Sequence, residues 1–323
     1  MSGKVGISRM LTLEVTRVTE RAAILSSLLA GRGDEKAADQ AAVDAMRTEL
    51  NRLDIDGTIV IGEGERDEAP MLYIGEKVGT GKGPKVDIAL DPLEGTTLCA
   101  KSMPNSLAVL AMAEGGSLLH APDTYMDKIA IGGGYPEGLV DLDATPKENI
   151  AALAKAKGVD VSQITACILD RPRHADLIAA VRATGARVTL ITDGDIAGVI
   201  NTTDPVTGID IYLGIGGAPE GVLAAAALRC TGGQMQGRLV TSSDEQKARA
   251  SKMGVKDFDK KYDMHEMASG DVIFAATGVT DGSMLEGIRY VRGGITTHTV
   301  VMRSSRGTVR WVKALHPSIE PFK

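Results

Sequence analysis

A chain of 323 residues with 43% apolar side chains is long enough to bury more than one core. Its net charge of −6 gives no general attraction to nucleic acid, and its three cysteines, Cys99, Cys167 and Cys230, are spaced too widely for a zinc cluster or a disulfide framework. It has neither a run of about 18 apolar residues nor a charged-then-apolar leader pattern, so the expectation is a soluble cytoplasmic protein with reduced thiols and no membrane partner.

Apolar residues at helical spacing predict a helix over 11–29, closed by Gly31 and Gly33, and a second over 35–53. Short strands are expected at 58–61 and 86–90, then a hairpin of 106–113 with 117–120, and further strands at 128–132 and 139–143. Residues 146–157 read as a helix. The second half alternates strand (164–169), helix (172–184), strand (187–191), helix (196–200), strand (209–214) and an apolar helix (220–230). A polar run over 244–267 is expected to be partly helical surface. A strand at 272–276 and a closing hairpin of 296–303 with 308–313 complete an α/β (α+β layered) fold. The expected domains are 1–162 and 163–323, with the break near 159–165.

The chemistry concentrates in Asp91-Pro92-Leu93-Glu94-Gly95-Thr96. Two carboxylates three residues apart, placed after an apolar strand, crowd negative charge where a cleft is expected. That crowding is costly without a cation, and hard divalent ions take oxygen ligands shared with phosphate. Gly62-Glu63-Gly64-Glu65 also follows a strand, and its glycines let the chain bend so that Glu63 reaches inward; an exposed acidic turn is the alternative. Asp39 sits among Ala37, Ala38, Ala41 and Ala42, small enough for another layer to approach. Gly214-Ile215-Gly216-Gly217-Ala218-Pro219-Glu220-Gly221 opens a helix, a place suited to an anion. Its G-x-G-x-x-G-like spacing also permits a dinucleotide reading, without a complete fingerprint. Arg171-Pro172-Arg173-His174 offers three potential cations, and Asp193-Gly194-Asp195 ends a strand where its carboxylates could accept sugar hydroxyls.

These motifs, with Ile55–Glu65, Asp67–Glu76 and Ala121–Met126, keep their order along nearly the whole chain, and together they resemble the class II fructose-1,6-bisphosphatases. The resemblance implies a sugar phosphatase-type α-β-α-β-α sandwich and a phosphatase releasing the 1-phosphate of fructose 1,6-bisphosphate. It also implies a homodimer or homotetramer. The wider group of lithium-sensitive phosphatases usually has Asp where this chain has Glu94, so the longer side chain favours class II over an inositol monophosphatase. Carried over by position, Asp39, Glu63, Asp91, Glu94 and Glu220 would hold two or more Mg²⁺ or Mn²⁺ ions. Thr96 would position the attacking water, with Asp39 and Glu63 also counted as catalytic. Glu94, Gly95, Thr96, Tyr125, Arg171, Pro172, Arg173, Asp193, Gly194, Asp195 and Gly217 would contact the sugar bisphosphate. One departure stands out: the family pattern has Lys four residues before the helix Asp, whereas this chain has Glu35 there and Lys36 one step closer. The same residues would serve a dual fructose-1,6-/sedoheptulose-1,7-bisphosphatase, and a non-catalytic sugar-phosphate sensor would have little use for every carboxylate.

Overall fold

The structure, a computed structural model, describes residues 7–64, 71–241 and 243–318. The chain forms two units. One is Met1–Leu119 together with Ala268–Lys323, and the other is the continuous segment His120–Met267. This differs from the expected single break near 159–165. The apolar pattern gives no sign that the last strands return to the first sheet.

In the first unit, α1 (Leu11–Ser27) and α2 (Glu35–Leu50) cover one face of an eight-stranded sheet. The strands are β1 (Asp56–Ile61), β2 (Lys77–Val78), β3 (Lys85–Glu94), β4 (Leu107–Glu114), β11 (Val272–Gly278), β12 (Arg289–Val291), β13 (Gly294–Arg303) and β14 (Thr308–His316). Their order is β12-β13-β11-β4-β3-β1-β2, with β14 on the far side of β13. Val15, Val18 and Ala22 of α1 and Ala38, Ala42 and Met46 of α2 pack on Ile88, Leu90, Leu110, Met112 and Ile273. A short helix, α3 (Thr96–Ala100), follows β3 and packs on α2.

The second unit has a six-stranded sheet of β5 (Tyr125–Ile131), β6 (Thr165–Leu169), β7 (Arg187–Ile191), β8 (Ile211–Gly217), β9 (Gln234–Val240) and β10 (Lys261–Asp263), in the order β10-β9-β5-β8-β6-β7. Ile129 and Ile131 of β5 face α4 (Pro146–Lys157) and α5 (Ala175–Ala183) through Ile150, Leu153 and Val181. Side chains alternate along a strand, so Met126 and Lys128 point the other way. There they meet α7 (Ala218–Thr231), beside which lies α6 (Asp195–Ile200). Sheet and helices thus make a three-layer unit, and the α/β class holds for both units.

Several boundaries moved. Ser117–His120 forms no strand. Instead the Asp87 carboxylate collects the N–H groups of Gly116, Ser117 and Leu118 at 2.8, 2.9 and 3.2 Å, and β4 pairs with β3 and β11. Residues 139–143 are a loop, because side chains take the place of a neighbouring strand. The Asn149 amide bonds both the N–H and the carbonyl of Asp141, and Gln236 accepts the N–H of Leu142. The run 244–267 contains α8 (Asp244–Lys252), β10 and α9 (Met264–Met267). Strand β9 went unpredicted, although its buried Met235, Gly237 and Leu239 alternate with Gln234, Gln236 and Arg238 at a strand's period.

Candidate functional site

In the first unit, Asp91 does not end its strand; β3 continues through Glu94. Pro92 has no N–H for the ladder, and the pairing slips there: Asp91 lies opposite Val109, whereas Glu94 lies opposite Leu107. Three steps along β3 therefore match two along β4, which is one inserted residue. In a regular strand, residues three apart point to opposite faces. The bulge cancels that parity, and a carboxylate oxygen of Asp91 comes within 4.8 Å of one of Glu94. Asp91 also accepts the N–H of Leu93 at 3.0 Å, which stiffens the kink. Glu94 is 4% exposed, and its carbonyl is held by the Ser106 hydroxyl at 3.0 Å. Gly95 takes the left-handed conformation (φ 74°) that turns the chain into α3, placing Thr96 at the first helical position.

Asp39 lies on α2, the helix that packs on α3. It is half-buried, and loss of solvent raises its pKa above the ordinary carboxylate value. Lys36 is exposed on the first turn of the same helix. Glu63 follows β1. A side chain at Gly62 would strike the carbonyl of Leu72, and Gly64 has φ 101°, so these glycines are required by the loop's path. Glu63 N–H donates to that same Leu72 carbonyl at 3.0 Å. Glu65, at the end of this motif, lies outside the described residues.

In the second unit, β8 runs on through the glycines to Gly217, past the expected strand end at 214. Gly217 is the N-cap of α7, with Pro219 in its first turn. A Cβ on Gly217 would sit 1.8 Å from the Glu220 carboxylate, so that carboxylate folds back over the bare Cα. Arg173 donates from Nε and Nη2 to the carbonyl of Ile215 at 3.0 and 2.8 Å, and its guanidinium lies 4.7 Å above the ring of Tyr125. Tyr125 is 48% exposed. Arg171 and Pro172 lead into the short helical turn before α5.

His174, expected among the cations, is buried and serves the scaffold. Its Nε2 accepts the N–H of Ile215 at 2.8 Å, so Nδ1 carries the proton and donates to the carbonyl of Leu169 at 2.8 Å. Burial lowers its pKa, which keeps the ring neutral. Gly214 (φ 134°) has no Cβ, which leaves room for the imidazole. Asp193 accepts the N–H of Gly194 at 3.1 Å, and Gly194 (φ 80°) caps α6. Asp195, the first residue of α6, is buried and paired with Lys128, a residue the motif reading passed over. Its sequence signal is a lone cation in the apolar strand Tyr125–Ile131.

The structure thus joins Asp91 with Glu94 through the bulge, and it sets Asp39 and Thr96 on two helices in contact. Tyr125, Arg173 and the end of β8 are grouped through Ile215. Among known proteins, the family described as "Bacterial fructose-1,6-bisphosphatase, glpX-encoded" matches residues 9–316. A protein of Synechococcus sp. (strain JA-3-3Ab), named D-fructose 1,6-bisphosphatase class 2/sedoheptulose 1,7-bisphosphatase, is 46% identical over 331 residues, covering 95% of each chain. A protein of the same name from Synechococcus elongatus (strain ATCC 33912 / PCC 7942 / FACHB-805) is 43% identical over 335 residues, covering 96% of this chain and 97% of its own.

Proposed function

The chain belongs to the bacterial glpX-encoded fructose-1,6-bisphosphatase family, and from that premise we propose that it releases the 1-phosphate of fructose 1,6-bisphosphate with the help of divalent cations. It is a phosphoric monoester hydrolase, and the question is how its residues share the work. The bulge that sets Asp91 beside Glu94 is the observation that carries the catalytic reading. Two carboxylates held so close repel each other unless a cation lies between them.

In this reading Asp39, Glu63, Asp91, Glu94 and Glu220 hold two or more Mg²⁺ or Mn²⁺ ions. An all-oxygen donor set suits such hard cations. The fit is supported by Asp39, a half-buried carboxylate with no ion pair among the described residues. When bound, these ions neutralise phosphate oxygens and lower the pKa of water. The Thr96 hydroxyl orients the attacking water for in-line displacement. Arg171 and Arg173 receive phosphate oxygens. Arg173 is already fixed on Ile215 and Tyr125, so little side-chain freedom is lost on binding. The Ala218 N–H is taken by the Thr124 carbonyl at 2.8 Å and Pro219 has none, so an anion at the start of α7 meets the bare Gly217, the Glu220 N–H and the positive end of the helix. Asp193 and Gly194 meet sugar hydroxyls, Tyr125 contacts the substrate beside Arg173, and Asp195, buried against Lys128, steadies their turn. Gly95 keeps the backbone bare where the substrate approaches.

Phosphate release from a panel of sugar phosphates, with Mg²⁺, Mn²⁺ or chelator, tests the proposal. Rapid metal-dependent release from fructose 1,6-bisphosphate is expected, and release that ignores chelator would overturn it. A second reading, dual activity on sedoheptulose 1,7-bisphosphate, is favoured by the names of the relatives. Comparing kcat/KM for the two sugars decides between them. Three buried free thiols suit the reducing cytoplasm, and a homodimer or homotetramer completes the reading, to be checked by light scattering.

A further inference from the structure

Lys128 is an ammonium group in the middle of a sheet. It is 1% exposed, on a strand whose other inward residues are apolar. The registers put Gly214 of β8 on one side of it and Gly237 of β9 on the other. Its stem crosses α7 at Gly221, where a Cβ would lie 3.3 Å from the lysine Cδ. Its Nζ pairs with Asp195, which also accepts the Tyr212 hydroxyl at 3.5 Å, and donates to the carbonyl of Gly217 at 2.9 Å. A Cβ on Gly216 would lie 2.0 Å from the Asp195 carboxylate and 2.8 Å from Nζ. Two glycines of the motif, Gly216 of β8 and Gly221 of α7, are therefore occupied in making room for a buried cation, separately from any exposure of N–H groups to a ligand.

A buried charge needs both a counter-charge and hydrogen bonds. Here the same ammonium supplies a bond to Gly217, the residue whose bare Cα supports the Glu220 carboxylate and whose peptide opens α7. We infer that Lys128 is a positioning residue for the reaction. It anchors the Gly217 carbonyl to β5 and ties it to Asp195 at the start of α6, fixing where Glu220 and the positive end of α7 point. This inference rests on the metal and phosphate roles proposed above for Glu220 and Gly217.

Lys128→Met alone strands the Asp195 charge, and Asp195→Asn alone strands the ammonium, so the informative protein is the neutral pair Lys128→Met/Asp195→Asn, compared with Tyr212→Phe, which removes a weaker Asp195 partner and keeps the lysine on Gly217. Hydrogen–deuterium exchange over residues 214–223, without metal, is expected to quicken in the double variant and to change little in Tyr212→Phe. Mn²⁺ titration followed by electron paramagnetic resonance should show affinity about 10-fold weaker or more in the double variant, the scale of losing an outer partner of a ligand. Saturating Mn²⁺ should restore much of kcat. Unchanged exchange in the double variant, or equal acceleration in Tyr212→Phe, overturns the inference. Wild-type protein that exchanges as expected yet hydrolyses no sugar bisphosphate refutes the functional reading alone.

Discussion

Half withdrawn from water on α2, Asp39 carries a cost while ionised, since burial lifts its pKa above the ordinary value. Stability from a raised acid is present at low pH and lost as pH rises through the folded pKa. At neutral pH and without metal, Asp39→Asn should therefore melt no lower than wild type. Adding Mn²⁺ should then raise the wild-type melting temperature, with about 2.7 kcal/mol available at a hundredfold excess over Kd, and should raise that of Asp39→Asn much less. Calorimetry with and without the ion measures both. His174 has the opposite sign. Its folded pKa is depressed, so its neutral form contributes stability above the unfolded value of about 6.5 and that contribution falls away as acid is added. Between pH 7 and 5.5 the melting temperature of wild type should fall more steeply than that of His174→Gln. Equal slopes would show that the imidazole titrates freely. The carboxylates were legible in the sequence because acidic residues among glycines and alanines stand out. His174 was misread because its neighbours Arg171 and Arg173 suggest charge, whereas its role depends on two backbone partners that only the fold brings near.

At the scale of elements, patterning found the long helices and most strands, since α1, α2 and α4 each present an apolar stripe and β4 is apolar up to its closing Glu114. What it missed was pairing. No composition signals that 117–120 answers to Asp87 in place of β4, or that a one-residue slip sets Glu94 on the same side as Asp91. The slip gives a direct test. Pro92→Val restores an N–H that competes for the ladder and favours a regular strand, turning Glu94 away. A loss in kcat of about 100-fold, equivalent to about 2.7 kcal/mol, is expected with unchanged circular dichroism. Wild-type kcat would mean that Pro92 does not set the register.

For the whole molecule, the division of the chain matters more than any element in it. The change to strand–helix alternation suggested a single boundary near 159–165, but one unit is continuous over 120–267 and the other is assembled from both ends of the sequence. That could not be read locally, because the pairing of β11 with β4 joins residues more than 150 positions apart. Residues 120–267, with their own apolar cluster between sheet and helices, should give a cooperative thermal transition when expressed alone. A fragment of 1–162 should not, as β4 would lack β11 and β5 would lack β8 and β9.

The same pairing has a consequence during synthesis. A ribosome delivers Asp39, Glu63, Asp91 and Glu94 early, yet the strand that seals β4 emerges only after the entire inserted unit has been made. Until then β4 presents an open row of peptide groups to its surroundings, a template for unwanted partners. The inserted unit can finish its own fold in the interval, so four of the five proposed metal-binding carboxylates wait on a half-built sheet until the last quarter of translation.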